Sequence, residues 1–332
     1  METTERKPPG RGIEVKLLDH TQDPVRALYL AYRVAYSSLT PIQIEQRIED
    51  ERITREQMQE FIRQRLETGH ASPLEQVWFV FGISGVSRAF SHQFVRHHIG
   101  ISFEQQSQRY VTFKGGEFPY TVPESVKKAG LLDEYNAEFD RVAALYDRLV
   151  QAGVPAEDAR FVLPNATNTN FKVTVNFLEL LHIADLRLCT RAQWEFRKVV
   201  ALMRAEVMRA LPDFGRYMQP KCGEHRMGYC DEPYADYQRC PIGKKRPHKR
   251  DLFGIYERLG DNYLEWEMPG SERRKPKPLS TDQLPLIDIG TEVPEPGQPM
   301  VEGWKVFDFA LVSMAPLDEG DFKVIEDENA SV

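Results

Sequence analysis

The sequence predicts an α+β fold, and three observations carry that prediction. Strand-length apolar runs are scattered among long amphipathic stretches, no strand–helix–strand repeat links them, and no other internal repeat is visible. Hydrophobic residues make up 41% of the 332, enough for a core in one large domain or two modest ones.

Residues 13–19 alternate in polarity and read as a strand. Pro24 to Ser38 reads as a helix, with proline in its first turn and Leu28, Ala31, Tyr32 and Ala35 at helical spacing. Ile42 to Ile53 and Arg55 to Thr68 read as two more, the second stopped by Gly69. Gln76 to Ile83, rich in Val, Phe and Trp, suits a buried strand. Ser87 to His98 returns to helical spacing, and Ser107 to Phe113 reads as extended. Glu124 to Ala152 supports one or two helices, broken near Gly130 and ended by Gly153. Pro155 to Leu163 is short and helical, with Glu157 and Asp158 near its positive end. Thr174 to Leu211 holds neither Gly nor Pro and is predicted as one long helix.

After Pro212 the composition changes. Ten of the 22 prolines fall in residues 241–332, which open on the basic run 244–250. Residues 221–250 form a cysteine-bearing basic segment. Residues 251–332 form a proline-rich acidic C-terminal extension, expected to be partly flexible, with aromatic patches at 262–266 and 304–309.

The net charge of −7 belongs to that extension, where 18 acids face 7 bases; the first 250 residues hold 36 bases and 32 acids. A general nucleic-acid binder is disfavoured, while small anionic ligands at the front of the chain are not. No apolar run approaches the ~18–20 residues that span a bilayer, and residues 1–12 lack an apolar signal segment. A cytoplasmic protein is expected, with its four cysteines as thiols or metal ligands.

Dinucleotide-type G-x-G-x-x-G, phosphate-loop and G-x-S-x-G motifs are all absent. Polar side chains concentrate instead in two stretches. In Ser91–His98, a helix places Gln93, Arg96 and His97 on one face, suited to an anion or a polar heterocycle or simply to a solvated helix end. On the predicted long helix, Asn176 and Arg187 lie eleven residues apart, about three turns, and point the same way. Asp185 and Glu195 on that stretch could equally pair with nearby arginines. Two shorter segments add Asp158-Ala-Arg160 and Gly69-His-Ala-Ser72. His92, His97 and His98 lack the i, i+4 spacing of a histidine metal pair. Cys222, His225, Cys230 and Cys240 have spacings a Cys3His zinc site accommodates, but without the paired C-x-x-C pattern, so unlinked thiols are expected and zinc is the alternative.

Taken in order, these segments resemble the flavin-dependent thymidylate synthases. That family's signature is Arg-His-Arg, then Ser after seven residues, usually continuing to Arg-Tyr. Here Arg96-His97-His98 leads to Ser107 and Arg109-Tyr110. Around it stand Gly69-His70 with Ser72-Pro73, Ala159-Arg160 with Val162-Leu163-Pro164, and Asn176 and Leu186-Arg187 before Ala192-Gln193-Trp194-Glu195. The match covers roughly residues 13–220. His98 replaces the third signature residue, and one extra residue lies within Ile99–Ile101. Leu178 stands where many members have Arg, and Arg191 where His is frequent.

The resemblance implies a family fold with a central, mostly antiparallel sheet and long helices, in a homotetramer with shared active sites. It implies methylation of dUMP at C5 with methylenetetrahydrofolate, FAD and NADPH. Gln93, Arg96, Gln105, Gln106, Ser107, Arg109, Arg160 and Arg187 are the implied dUMP residues, with Arg187 facing the uracil as the catalytic one. His70, Ser72, Arg96, His97, His98, Gln105, Asn176 and His182 are the implied FAD contacts. The family's mechanism uses no enzyme thiol, so Cys240-Pro241 is not equated with the cysteine of the flavin-independent synthases. Two alternatives stay open: a member of this fold that binds nucleotide or flavin without methylating, and a non-enzymatic phosphate- or RNA-binding module.

Overall fold

The computed structural model describes residues 12–113, 117–242 and 246–252. The chain divides after Pro220 into two compact units.

The first unit opens with β1 (Glu14–His20) and then α1 (Pro24–Ala35), α2 (Pro41–Glu49) and α3 (Arg55–Glu67). Asp23 caps α1, and Thr40 and Thr54 form capping boxes with Gln43 and Gln57, each satisfying backbone groups that the first turn leaves open. A 3-10 turn at Ser72–Gln76 leads into β2 (Trp78–Ser87), α4 (Arg88–Phe94) and β3 (Ile101–Gln105). Then follow α5 (Glu124–Lys128), α6 (Leu132–Gln151), α7 (Ala156–Ala159) with a 3-10 turn at Arg160–Val162, β4 (Asn168–Asn176), α8 (Phe177–Arg187), α9 (Trp194–Ala210) and α10 (Pro212–Gly215).

The four strands form one antiparallel sheet in the order β1-β2-β4-β3. Phe79, Phe81 and Ile83 of β2 and Phe171, Val173 and Val175 of β4 alternate into the core, where Phe90, Phe94 and Phe196 meet them. A smaller core gathers Phe118, Tyr120, Phe139 and Ala143 under α6.

Four sequence expectations are corrected. Thr174 to Leu211 is not one helix: residues 168–176 pair with β2 and β3, α8 starts only at Phe177, and residues 188–193 separate it from α9. Two ladders satisfy the backbone of β4, and its alternating Phe171, Val173 and Val175 suit a strand, so pairing and local pattern agree. Asn176 is accordingly the cap of α8, its side chain accepting from Glu179 N, and does not share a helix face with Arg187. Likewise α4 stops at Phe94, so Arg96 and His97 lie in the following turn, one exposed and the other buried. Strand β3 falls in Ile101–Gln105, where the sequence reading places no element although Ile101 and Phe103 alternate with polar residues. Ser107, expected to be extended, opens a turn, with Val111 N donating to Ser107 O.

In the second unit, α11 (Tyr234–Arg239) and α12 (Lys249–Leu252) flank a short parallel bridge between Cys230 and His248. The Lys221 ammonium sits between Asp231, at 2.6 Å, and Glu232, at 3.0 Å. Of the C-terminal extension, only Asp251 and Leu252 fall within the described residues. Among the described residues no helix is long and apolar enough to cross a membrane.

Candidate active site

The site is organised where β4 gives way to α8. Asn176 N donates to Gly100 O at 2.8 Å, which pins the turn after α4 against the start of α8. Gly100 has φ +70, and a Cβ there would lie 2.3 Å from Asn176 Nδ2, so only glycine permits this approach.

The turn pinned in this way delivers His97 into a buried pocket. Its Nδ1 lies 3.0 Å from Glu179 Oε1, its Nε2 lies 3.3 Å from Arg187 Nε, and its ring is 5.9 Å from that of His182. The Arg187 guanidinium stands 4.4 Å above the Phe196 ring and makes no ion pair among the described residues. Burial holds it below the ordinary arginine value, since the charge has lost water without gaining an acid.

His97, Glu179 and His182 each offer an atom within 4.8 Å of the others, close enough to share a metal ion. Both ring nitrogens of His97 are already engaged, however, and the adjacent guanidinium opposes a second cation. We therefore read Glu179, His97 and Arg187 as a hydrogen-bonded chain, with the His182 ring beside it.

A second set of residues gathers around the first residues of β4. Gln105 Nε2 donates to Thr169 Oγ1 at 3.2 Å, and Asn170 Nδ2 donates to Gln106 Oε1 at 2.8 Å. Ser107 Oγ accepts from Arg109 N at 3.1 Å, which shapes the turn. Glu157 joins the two arginines: its carboxylate takes Arg109 Nε at 2.6 Å, and its carbonyl takes Arg160 Nε at 3.0 Å.

Arg88, which sequence reasoning missed, stands close enough to Arg160 for the two like charges to interact. Burial, and then Arg160, lower its affinity for the proton. Among the described residues Arg88 has no acidic partner. A lone arginine at a strand–helix junction carries no motif, so only the fold could reveal it.

A third group lies at the turn before β2. His70 Nδ1 is 2.7 Å from the Tyr36 hydroxyl, and His70 Nε2 is 3.3 Å from Ser72 Oγ. Just beyond the turn, Val77 O accepts from Phe177 N at 2.8 Å, so this group shares the α8 end of the sheet with Asn176.

Gln93 is half-buried on α4, and Arg96, His98 and His182 are exposed, His98 with Nδ1 2.9 Å from Arg96 O. In the second unit Cys230 lies near Cys240, but Cys222, His225, Cys230 and Cys240 do not form a group of three metal-ligating atoms among the described residues.

Residues 16–213 match the family model Thy1, described as thymidylate synthase complementing protein. A flavin-dependent thymidylate synthase of Geobacter sulfurreducens is 43% identical over 211 residues, covering 63% of this chain and 88% of the relative. One from Pyrococcus furiosus is 36% identical over 228 residues, covering 66% and 90%.

Among solved structures, the UMP/dUMP methylase PolB from Streptomyces cacaoi, bound with 5-Br dUMP, superposes with a TM-score of 0.51. It is 21% identical, covers 62% of this chain and 93% of its own, and shows the likeness of fold. With a matching family model over most of its first unit and curated relatives spanned nearly end to end, the chain belongs to the flavin-dependent thymidylate synthases and shares their activity.

Proposed function

We propose that the protein methylates dUMP at C5, with methylenetetrahydrofolate as one-carbon donor, FAD as its flavin and NADPH as reductant. The observation that carries this reading is Arg187, a half-buried guanidinium with no acid partner among the described residues, held by a histidine and an aromatic ring. A cation kept in that state suits a ligand that develops negative charge. The balance closes with one proton from solvent. C5 loses a proton, and the methylene unit leaves its two folate nitrogens for C5 and gains a hydride from NADPH to become a methyl group. The two nitrogens take up the C5 proton and the solvent proton, and dTMP, tetrahydrofolate and NADP+ leave.

The residues fit a flavin. Exposed Arg96, with no acid partner among the described residues, suits its diphosphate, and His98, His182, His70 and Ser72 offer donors and acceptors suited to a heterocycle. When bound, the flavin carries the hydride between NADPH and the one-carbon unit.

The chain's own residues do the rest. Arg109, Arg160 and Arg88 hold the nucleotide phosphate, to which each charge-assisted bond contributes about 1.5–3 kcal/mol. Glu157 yields Arg109 to the phosphate as dUMP enters. Gln93, Gln105, Gln106 and Ser107 orient the nucleotide, and Arg187 polarises a uracil carbonyl so that C5 becomes nucleophilic. Ser107 does not serve as a nucleophile, since its Oγ faces a backbone N–H and not a base.

The assembly we propose is a homotetramer in which copies share active sites. Phe161, Tyr110 and Ile99 are 83%, 79% and 72% exposed directly beside Arg160, Arg109 and His98, apolar surface suited to cover by a second copy. The deciding experiment is anaerobic: NADPH-reduced protein receives dUMP and methylenetetrahydrofolate, and dTMP and flavin oxidation are followed together. Formation of dTMP is expected; a flavin-loaded protein that makes none removes the assignment of substrates.

A further inference from the structure

Glu179 has no part in the roles assigned so far, yet it is buried beside the site. It lies in the first turn of α8, 8% exposed, with its backbone N–H held by Asn176 Oδ1 at 2.9 Å. His97, 6% exposed, stands between Glu179 Oε1 at 3.0 Å and Arg187 Nε at 3.3 Å. An arginine Nε carries a hydrogen and cannot accept, so this contact requires a bare lone pair on His97 Nε2. A neutral imidazole with a bare Nε2 holds its proton on Nδ1, and that proton points at Glu179. An ionised carboxylate is an acceptor only, and so favours this tautomer over the other.

We propose that Glu179 is a positioning residue: it holds His97 as the Nδ1–H tautomer, which turns the Nε2 lone pair to Arg187 and aims the guanidinium at the substrate. Phe196, 4.4 Å below, provides the second restraint and leaves the two terminal nitrogens of Arg187 available to a ligand. The inference rests on Arg187 as the uracil-facing residue.

Two measurements on the full-length holoenzyme test it. The first is the imidazole spectrum of protein labelled with ¹⁵N-histidine, with His97 assigned through a His97→Gln sample. A protonated Nδ1 and a bare Nε2 are expected. A proton on Nε2 in the unmutated protein overturns the proposal, whether or not any variant folds.

The second measurement is dUMP affinity. Glu179→Met is expected to weaken it about tenfold with FAD content unchanged, whereas Glu179→Gln, which keeps an acceptor oxygen, recovers to within about twofold. In an Arg187→Ala background, Glu179→Met is expected to cost nothing further. An equal loss with and without Arg187 marks a purely structural role and overturns the proposal. Failure of the underlying reading shows separately, as an Arg187→Ala protein with unchanged dUMP affinity and turnover.

Discussion

Arg187 owes its chemistry to what is withheld from it. Its Nε meets a ring nitrogen of His97 and its plane an aromatic face, with no acid partner among the described residues, so the positive charge stays available to a ligand. Replacing it with alanine is expected to lower turnover by about 10²–10³-fold, as when one fixed donor to a developing oxyanion is lost. FAD remains bound, which the flavin absorbance of the purified variant checks.

Arg88 follows the same logic at the proposed phosphate site. Arg88→Ala is expected to raise the KM for dUMP about tenfold or more, the loss of one charge-assisted bond, with little change in kcat. Steady-state kinetics at fixed folate measures this. Arg109, Arg160 and Arg187 were legible in the sequence because they stand in family motifs. Arg88 and Glu179 were not, since their meaning lies in neighbours 72 positions away for Arg88 (Arg160) and 82 for Glu179 (His97).

Two contacts between elements bear on how the site is held. At Gly100, any side chain would meet Asn176, and the positive φ alone costs about 1–2 kcal/mol for an L-residue. Gly100→Ala is therefore expected to lower stability by roughly 1–3 kcal/mol and to loosen the turn that carries His97, read as a lower Tm with weaker flavin retention.

At the N-terminus of α9, buried Glu195 accepts from Ser87 N at 2.7 Å and from Ser87 Oγ at 2.5 Å, tying α9 to the junction of β2 and α4. Phe196, the next residue, lies under Arg187, so this tie also seats the Arg187 guanidinium. Burial raises the proton affinity of Glu195, and the two bonds from Ser87 oppose that rise in part. Because the folded value lies above the unfolded 4.5, the folded state binds more protons in between. Stability contributed by Glu195 therefore falls as pH rises through that window and recovers on acidification. Glu195→Gln removes the titration while keeping the shape. Thermal melts should show wild type gaining on the variant as pH drops from neutral toward 4.5.

Elements whose own pattern decides them were readable from the chain. The helices with caps or glycine stops, α1, α3 and α6, fall where periodicity put them. The stretch from β4 to α9 misleads because the absence of Gly and Pro from Thr174 to Leu211 suggests helix continuity, whereas the alternation of Phe171, Val173 and Val175 already marks a strand that runs into it.

At the scale of the molecule, the cations of the site are few and individually placed, while the acidic surplus lies in the last 82 residues. Anion binding therefore owes little to bulk charge. The proposed homotetramer predicts sedimentation at the mass of four chains. It also predicts that equimolar mixing and re-association of Arg187→Ala with Arg160→Ala restores part of the turnover both lack. Recovery requires that one site draw its two arginines from different copies, and absence of recovery in a verified mixed tetramer counts against sharing.

By itself the sequence determined the class of fold and the family, and it named most of the charged groups proposed to meet the substrate. Each of these is written in local pattern: hydrophobic period, capping residues, and motifs whose members sit within a few positions of one another. Only the tertiary structure decided which arginines lack an acid partner among the described residues and which side chains stand against one another. Strand pairing set Asn176 against Gly100, and the turn they pin brought His97 between Glu179 and Arg187. The electrostatic state of a group depends on everything packed around it, and for Arg187 those neighbours come from α4's following turn and from α9.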